Sequence, residues 1–154
     1  MMSELRMKIV FLVSAFGSTA EDSNNRVANI YRRLSSNYDV KLITTNFNHR
    51  TKSFKSLDYN FYSELRLAVP AYVKNVSIGR IYSHIIFAMK LARLFKRLNT
   101  KPALVYCTMP TTLAAFVCGC FCRKHKIPFV VDVIDLWPES LYPLTKAALF
   151  LKIL

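Results

Sequence analysis

Four short apolar runs, separated by segments with helical spacing, limit what this chain can fold into. The runs are residues 8–15 (KIVFLVSA), 39–45 (DVKLITT), 103–107 (ALVYC) and 129–135 (FVVDVID). Nearly continuous apolar strands are typical of parallel sheets buried on both faces. Because strands alternate with helices along the whole chain, we predict an α/β fold with an open parallel sheet and flanking helices. The length of 154 residues fits one domain.

Three segments between these runs have the apolar spacing of helices. The first is 26–34, for which Asp22, Ser23 or Asn24 is a candidate N-cap. The second, 78–98, is a basic amphipathic helix, and the third, 113–122, is almost wholly apolar. The apolar residues on one face of the second are Ile78, Ile81, Ile85, Met89, Ala92 and Phe95. A short strand is expected at 65–69, whereas 46–62 has no clear period.

The positive charge of the chain is concentrated in its second half. The net charge is +13, and no Asp or Glu occurs between Glu64 and Asp132. That stretch carries eleven cations: Arg66, Lys74, Arg80, Lys90, Arg93, Lys96, Arg97, Lys101, Arg123, Lys124 and Lys126. A field of one sign attracts anionic lipid headgroups, lipid pyrophosphates or nucleic acid. Nucleic acid is disfavoured, because no nucleic-acid motif occurs and the cations lie beside an apolar helix rather than stacking aromatics.

The sequence argues against several familiar cofactor sites. Only three glycines occur, without the G-x-G-x-x-G turn or a Walker loop, so no dinucleotide or other cofactor is expected. Asp132 and Asp135 have D-x-x-D spacing, unlike the D-x-D of metal-dependent sugar-nucleotide sites, and we predict no metal. The four cysteines lack metal-site spacing and are expected to be buried small residues. His84 and His125 are expected at the surface.

A ligand site is expected where the strands end, because open parallel sheets bind ligands at the carboxyl ends of their strands. The segments there are 17–26, 108–112 and 132–140. Arg26 stands at a helix N-terminus that can hold an anionic or hydroxyl-rich ligand, or else it is a solvated surface residue. A partly desolvated carboxylate at Asp132 or Asp135 can have a raised pKa and accept a proton from a sugar hydroxyl. Asp135 could instead cap the following turn.

The run D-L-W-P-E-S at 135–140, directly after an apolar strand, resembles family 4 glycosyltransferases. The likeness is greatest to bacterial transferases of capsule, O-antigen and fucosamine-type assembly. Supporting matches are the first strand (M-K-I-V-F-L-V), Asn25 and Arg26 before the first helix, and 106–110 before the apolar helix. One departure is the opening loop, where the usual glycine pair is missing and Gly17 is followed by Ser18.

The resemblance implies the N-terminal half of a GT-B architecture, with two Rossmann-like domains and no bound metal. Residues 1–154 would be the acceptor-side domain, without the donor-binding C-terminal domain, so this chain alone is expected to be inactive. The implied reaction is hexosyl transfer from a nucleotide-sugar donor, with retention, to a polyprenyl-pyrophosphate-linked sugar in cell-surface polysaccharide biosynthesis. The implied catalytic residues are Asp132 and Asp135. The implied acceptor-binding residues are Gly17, Ser18, Arg26, Pro110, Thr111, Trp137 and Glu139.

The same resemblance implies a cytoplasmic protein, peripheral at the inner face of the cytoplasmic membrane. The basic stretch 66–126, with the helix at 78–98, would meet the membrane surface and the lipid pyrophosphate. An alternative is a non-catalytic, membrane-associated acceptor-binding subunit of a split transferase, which would dock a separate donor-binding chain.

Overall fold

A five-stranded sheet lies at the centre of the computed structural model, which describes residues 8–18, 25–56, 63–109 and 111–134. The sheet has the order β5-β2-β1-β6-β7 with every neighbouring pair parallel, and β3 and β4 form a separate antiparallel hairpin. The fold is therefore α/β and Rossmann-like, as the sequence predicted. In chain order the elements are β1 (Ile9–Ser14), α1 (Arg26–Ser35), β2 (Asp39–Thr45), β3 (Phe47–Asn48), β4 (Ser53–Phe54), β5 (Glu64–Leu67), α2 (Ile78–Lys96), β6 (Leu104–Met109), α3 (Thr112–His125) and β7 (Phe129–Val133).

The strand order marks the place where a ligand crevice is expected. From β1 the chain moves outward through β2 to β5, and it then returns to the other side of β1 to form β6 and β7. In open α/β sheets, ligands bind outside the carboxyl ends of the strands at the point where this order reverses. That point lies between β1 and β6.

The central strand β1 contributes side chains to two separate cores. Val10 and Leu12 pack with Val27 of α1 on one face of the sheet. Phe11 and Val13 join the core beneath α2 and α3 on the other face. Since successive side chains of a strand point to opposite faces, a strand covered on both faces is apolar at nearly every position. This explains the nearly continuous apolar run at 8–15.

Helix α2 is apolar on two opposite faces. The buried face includes Phe87, Leu91 and Phe95, which pack on the sheet. Four of the six apolar residues noted in the sequence instead lie on the exposed face, and only Phe95 of that set is fully buried. We call the exposed set the outer face of α2; it comprises Ile78, Ile81, Tyr82, Ile85 and Met89.

Two parts of the chain differ from the expectation. The segment 46–62 has no clear period in the sequence, and its described part contains the β3–β4 hairpin, whose strands have only two residues each. A hairpin this short leaves no periodic pattern in the sequence. Helix α3 also extends beyond residue 122 to His125, and it ends where Lys126 adopts a left-handed conformation with φ of 55°.

Candidate functional site

An ion pair joins the start of α1 to the end of β7 across the carboxyl edge of the sheet. Arg26 donates from Nε to Asp132 Oδ2 at 2.7 Å and from Nη2 to Asp132 Oδ1 at 2.8 Å. The Asp132 side chain is 8% exposed, whereas that of Arg26 is 61% exposed. This bidentate contact holds the guanidinium in one orientation while most of the Arg26 side chain stays exposed. Two residues that the sequence singled out separately are therefore partners.

The Asp132 carboxyl is a weaker base than the sequence suggested. Its hydrogen bonds from Arg26 lower its pKa below the ordinary value, and this effect outweighs the opposing effect of burial; Tyr106 also contributes a hydrogen bond that lowers the pKa. The expectation of a raised pKa was therefore wrong for Asp132. Burial alone would raise the pKa, but sequence inspection could not show that a cation 106 positions away contacts the carboxylate.

The first loop is anchored at both of its described ends. Asn25 caps α1 by accepting a hydrogen bond at Oδ1 from the Val27 backbone N–H at 2.9 Å, and it donates from Nδ2 to Ser18 Oγ at 2.7 Å. The cap is thus Asn25 rather than Asp22, Ser23 or Asn24. Ser18 is buried, and its hydroxyl joins the described residues on either side of 19–24 through this bond with Asn25.

Gly17 has a structural reason to be glycine. Its φ is +65°, and a Cβ at this position would lie 2.3 Å from the Phe47 carbonyl oxygen. The backbone of the loop therefore lies directly against β3, where Asn48 also donates from its amide to the Gly17 carbonyl oxygen at 3.4 Å. Its predicted role in acceptor binding stays a prediction.

Two threonines line the carboxyl end of β6. Thr108 Oγ1 donates to the Val13 carbonyl oxygen at 3.4 Å, and Thr111 Oγ1 donates to the Thr108 carbonyl oxygen at 3.5 Å. Both are fully buried. Thr111 is thus at the expected edge, next to the reversal of strand order, with its hydroxyl turned into the protein. Four predicted site residues, Pro110, Asp135, Trp137 and Glu139, lie outside the described residues.

A second polar group at the same edge was not found from the sequence. The hairpin cluster, as we name it, consists of His49, Lys52, Tyr72, Arg80 and His84. His49 Nδ1 lies 2.6 Å from Tyr72 Oη and 3.5 Å from Lys52 Nζ, and the ammonium of Lys52 lies 4.6 Å from the centre of the Tyr72 ring. The cluster draws on the β3–β4 turn, the 68–77 loop and α2, which lie far apart in sequence.

The two histidines of this cluster are held neutral by their surroundings. Burial, followed by the nearby charges of Lys52 and Arg80, lowers the pKa of His49 to about 4. Burial and the charge of Arg80 lower the pKa of His84 to about 4 as well. His84 is partly buried with no partner for Nε2, so the expectation that it is a plain surface residue was wrong.

The cysteines do not form a metal site within the described residues. Cys107, Cys118 and Cys122 are buried and Cys120 is exposed, and all four are free thiols. No group of three His, Cys, Asp or Glu side chains converges in the part of the chain that the structure describes.

Comparison with known proteins supports the fold alone. No protein-family profile matches the chain, and no curated protein matches it. Among solved structures, the chain is similar to the C-terminal domain of the PF1911 hydrogenase from Pyrococcus furiosus, with a TM-score of 0.57 and 13% identity over 81% of this chain and 91% of that domain. A second structure of the same domain gives a TM-score of 0.53 and 14% identity over the same shares of the two chains.

Proposed function

We propose that this chain is the acceptor-side domain of a glycosyltransferase, holding a polyprenyl-linked sugar for transfer from a nucleotide sugar. The observation that carries the proposal is the Arg26–Asp132 pair. It brings the loop after β1 and the end of β7 to one edge, and β7 leads directly into the D-L-W-P-E-S run at 135–140. In the sequence, the motif that suggests a transferase thus begins two residues after the strand whose Asp132 binds the Arg26 guanidinium.

The pair suggests a division of roles between the two predicted catalytic carboxylates. Asp132 is ionised at neutral pH and engaged by Arg26, so it is suited to orienting Arg26 and to accepting a hydrogen bond from a sugar hydroxyl. A carboxylate with a lowered pKa is poorly suited to removing that proton. We therefore propose that Asp132 positions the acceptor, and that Asp135 stays the candidate base.

The outer face of α2 supports a position at a membrane surface. Ile81 is 50% exposed and Ile85 is 38% exposed, and the same helix carries Lys90, Arg93 and Lys96 in a stretch without carboxylates. Apolar side chains flanked by cations bind anionic bilayers by partial insertion of the apolar residues. Among the described residues, no helix has the length and apolar character that spanning a bilayer requires.

Vesicle flotation tests the proposal. The chain is mixed with vesicles of phosphatidylcholine, of phosphatidylcholine with phosphatidylglycerol, and of the latter with a polyprenyl-pyrophosphate-linked sugar. We expect binding to increase from the first vesicle type to the third. The increase caused by the polyprenyl-pyrophosphate-linked sugar should be smaller in Arg26→Gln. Equal binding with and without the linked sugar would contradict an acceptor site.

A pair of variants distinguishes membrane contact by the outer face of α2 from non-specific hydrophobic adsorption to vesicles. Ile81→Gln combined with Ile85→Gln is expected to weaken binding to anionic vesicles at least about tenfold, because burying one isoleucine contributes about 1.5 kcal/mol or more. Tyr38→Gln is the control: Tyr38 is 39% exposed and lies between α1 and β2, away from α2 in the sequence. An equal loss in both variants would argue against the outer face of α2.

A panel of nucleotide sugars distinguishes the two forms of the proposal. Acceptor-dependent binding without sugar transfer fits a domain that needs a donor-binding partner, which includes the subunit of a split transferase. Transfer by the chain itself would show that the expected inactivity is wrong.

A further inference from the structure

The hairpin cluster has positive charge and no carboxylate partner among the described residues. The described carboxylates are Asp39, Glu64 and Asp132, and each pairs with a cation elsewhere. Lys52 Nζ instead donates to Asn75 Oδ1 at 2.7 Å, and Arg80 Nη1 donates to the Asn75 carbonyl oxygen at 2.7 Å. Two neutral oxygens of Asn75 thus accept hydrogen bonds from two cations. Lys52 and Arg80 lie close enough to repel each other, because the charge of Arg80 helps to lower the pKa of Lys52.

Two buried nitrogen atoms of the cluster have no hydrogen-bond partner in the part of the chain that the structure describes. They are Arg80 Nε and His84 Nε2. Lys52 Nζ, which can only donate, lies 3.5 Å from His49 Nδ1. The cluster thus combines two histidines, an arginine and a lysine, and no described carboxylate matches their charge.

The position of Arg80 adds to this imbalance. Arg80 lies in the first turn of α2, which contains no acidic residue, and a cation near a helix N-terminus opposes the helix dipole. Lys52 is held in the left-handed region with φ of 55°, an unfavourable conformation for a residue with a side chain. A bound anion would offset both the dipole and the repulsion between the two cations.

We propose that the hairpin cluster binds a phosphate-class oxyanion, with Lys52 and Arg80 supplying the charge and His49 and His84 supplying N–H donors. This site goes beyond the proposed function, because it requires neither a sugar nor a transfer reaction. The chemistry is that of a phosphoryl group, either free in solution or as the headgroup of a lipid.

The histidines provide a direct test, because the chain contains only His49, His84 and His125. We would titrate the full chain with pyrophosphate at constant ionic strength and follow the three imidazole C–H signals by NMR. The signals of His49 and His84 should shift with a common saturation curve, while that of His125, on α3, should not. Their pKa values should also rise from about 4, because a bound anion favours the protonated ring.

Other outcomes of the titration would overturn the site. Equal shifts of all three signals would mean general charge screening, and the absence of a shift would mean that the cluster only packs the hairpin against α2. A failed sugar-binding experiment would leave this result untouched, so the two proposals fail separately.

Two arginine variants sharpen the test. Arg80→Gln should weaken pyrophosphate binding about tenfold or more, the typical effect of losing a charge-assisted hydrogen bond. Arg33→Gln, at an exposed position in the last turn of α1, removes the same charge and should leave binding unchanged. Because Arg80 also bonds the 68–77 loop, the thermal stability of Arg80→Gln must be shown to equal that of Arg33→Gln. If both variants weaken binding equally, net charge and not the cluster is responsible.

The two sources of phosphoryl group need separate arms. One arm measures pyrophosphate in solution, and the other measures flotation with phosphatidylcholine vesicles containing phosphatidic acid, whose headgroup is a phosphomonoester. Sensitivity to Arg80→Gln in both arms would indicate a lipid headgroup, whereas sensitivity in the first arm alone would indicate a soluble phosphate. Insensitivity in both would contradict the proposal.

Discussion

Two groups of cations stand at the same edge of the sheet and differ in what surrounds them. Arg26 makes a bidentate contact with a buried carboxylate, whereas Lys52 and Arg80 donate to the neutral oxygens of Asn75 and pair with none of the described carboxylates. A matched pair orders the chain around it and lowers the pKa of its acid. Two cations without an acid between them, such as Lys52 and Arg80, repel each other, and a bound anion can reduce this repulsion. The comparison suggests that the first group organises the edge and the second is prepared to bind.

The largest expected effect comes from Gly17→Ala, which would force the hairpin away from β1. The new Cβ would clash with the Phe47 backbone at a positive φ, so we expect a loss of about 3 kcal/mol or more in the free energy of unfolding. Urea denaturation measures the loss. Gly79→Ala is the control, because its nearest neighbour would be at 3.5 Å. If both variants lose similar stability, the close approach of Gly17 to the Phe47 backbone is not what the hairpin requires.

A smaller effect is expected on the side of the matched pair. Asn25→Ala removes the cap of α1 and the bond to Ser18, and should lower the free energy of unfolding by about 1 kcal/mol. Asn29→Ala, at an exposed position in the same helix, should cause no such loss. The comparison uses thermal and urea unfolding of both variants. If Asn25→Ala does not change the free energy of unfolding, the Arg26–Asp132 pair alone positions the start of α1.

The hairpin cluster should show stability and binding changing in opposite directions. Lys52→Gly relieves the positive φ and should raise the free energy of unfolding by up to about 1 kcal/mol, while weakening pyrophosphate binding. Lys52→Gln keeps the backbone strain and should weaken binding without a gain in stability. Loss of stability in Lys52→Gly with unchanged binding would show that Lys52 serves packing only.

The smallest effect concerns acid stability. The pKa of Asp132 is lowered in the folded protein, so its contribution is present above the ordinary aspartate pKa of about 3.9 and is lost as the pH falls through the lower folded value. In Arg26→Gln the leading cause is gone, so the carboxyl should titrate at a higher pH than in the parent chain. NMR titration of the Asp132 carboxyl carbon measures this pKa in the parent chain and in Arg26→Gln. Identical titration curves in the two proteins would contradict the Arg26–Asp132 ion pair.

The amino-acid sequence was sufficient for the sheet, because its evidence is local. Buried parallel strands are rich in apolar and β-branched residues, and the runs at 8–15 and 39–45 have this composition. The helices were found for the same reason. The outer face of α2 was harder to interpret, because a helix with apolar residues on two sides gives no single stripe, and the spacing alone cannot say which side meets the sheet.

The candidate site was only partly accessible from the sequence. The carboxyl ends of the strands follow from the parallel topology, so Arg26 and Asp132 were named as candidates before any contact was known. Their pairing, and with it the direction of the Asp132 pKa, depends on a contact across 106 positions. His49 and Lys52 were missed altogether, because they belong to a hairpin with strands of two residues.

The sequence by itself determined the α/β class, the alternation of the main strands and helices, and a cationic stretch without carboxylates between Glu64 and Asp132. These follow from local side-chain pattern and from composition. Only the tertiary structure decided which cations have partners, since pairing depends on the approach of segments distant in sequence. In the tertiary structure Arg26 pairs with Asp132, whereas Lys52 and Arg80 both donate to Asn75, because none of the described carboxylates reaches the place where the hairpin and α2 meet.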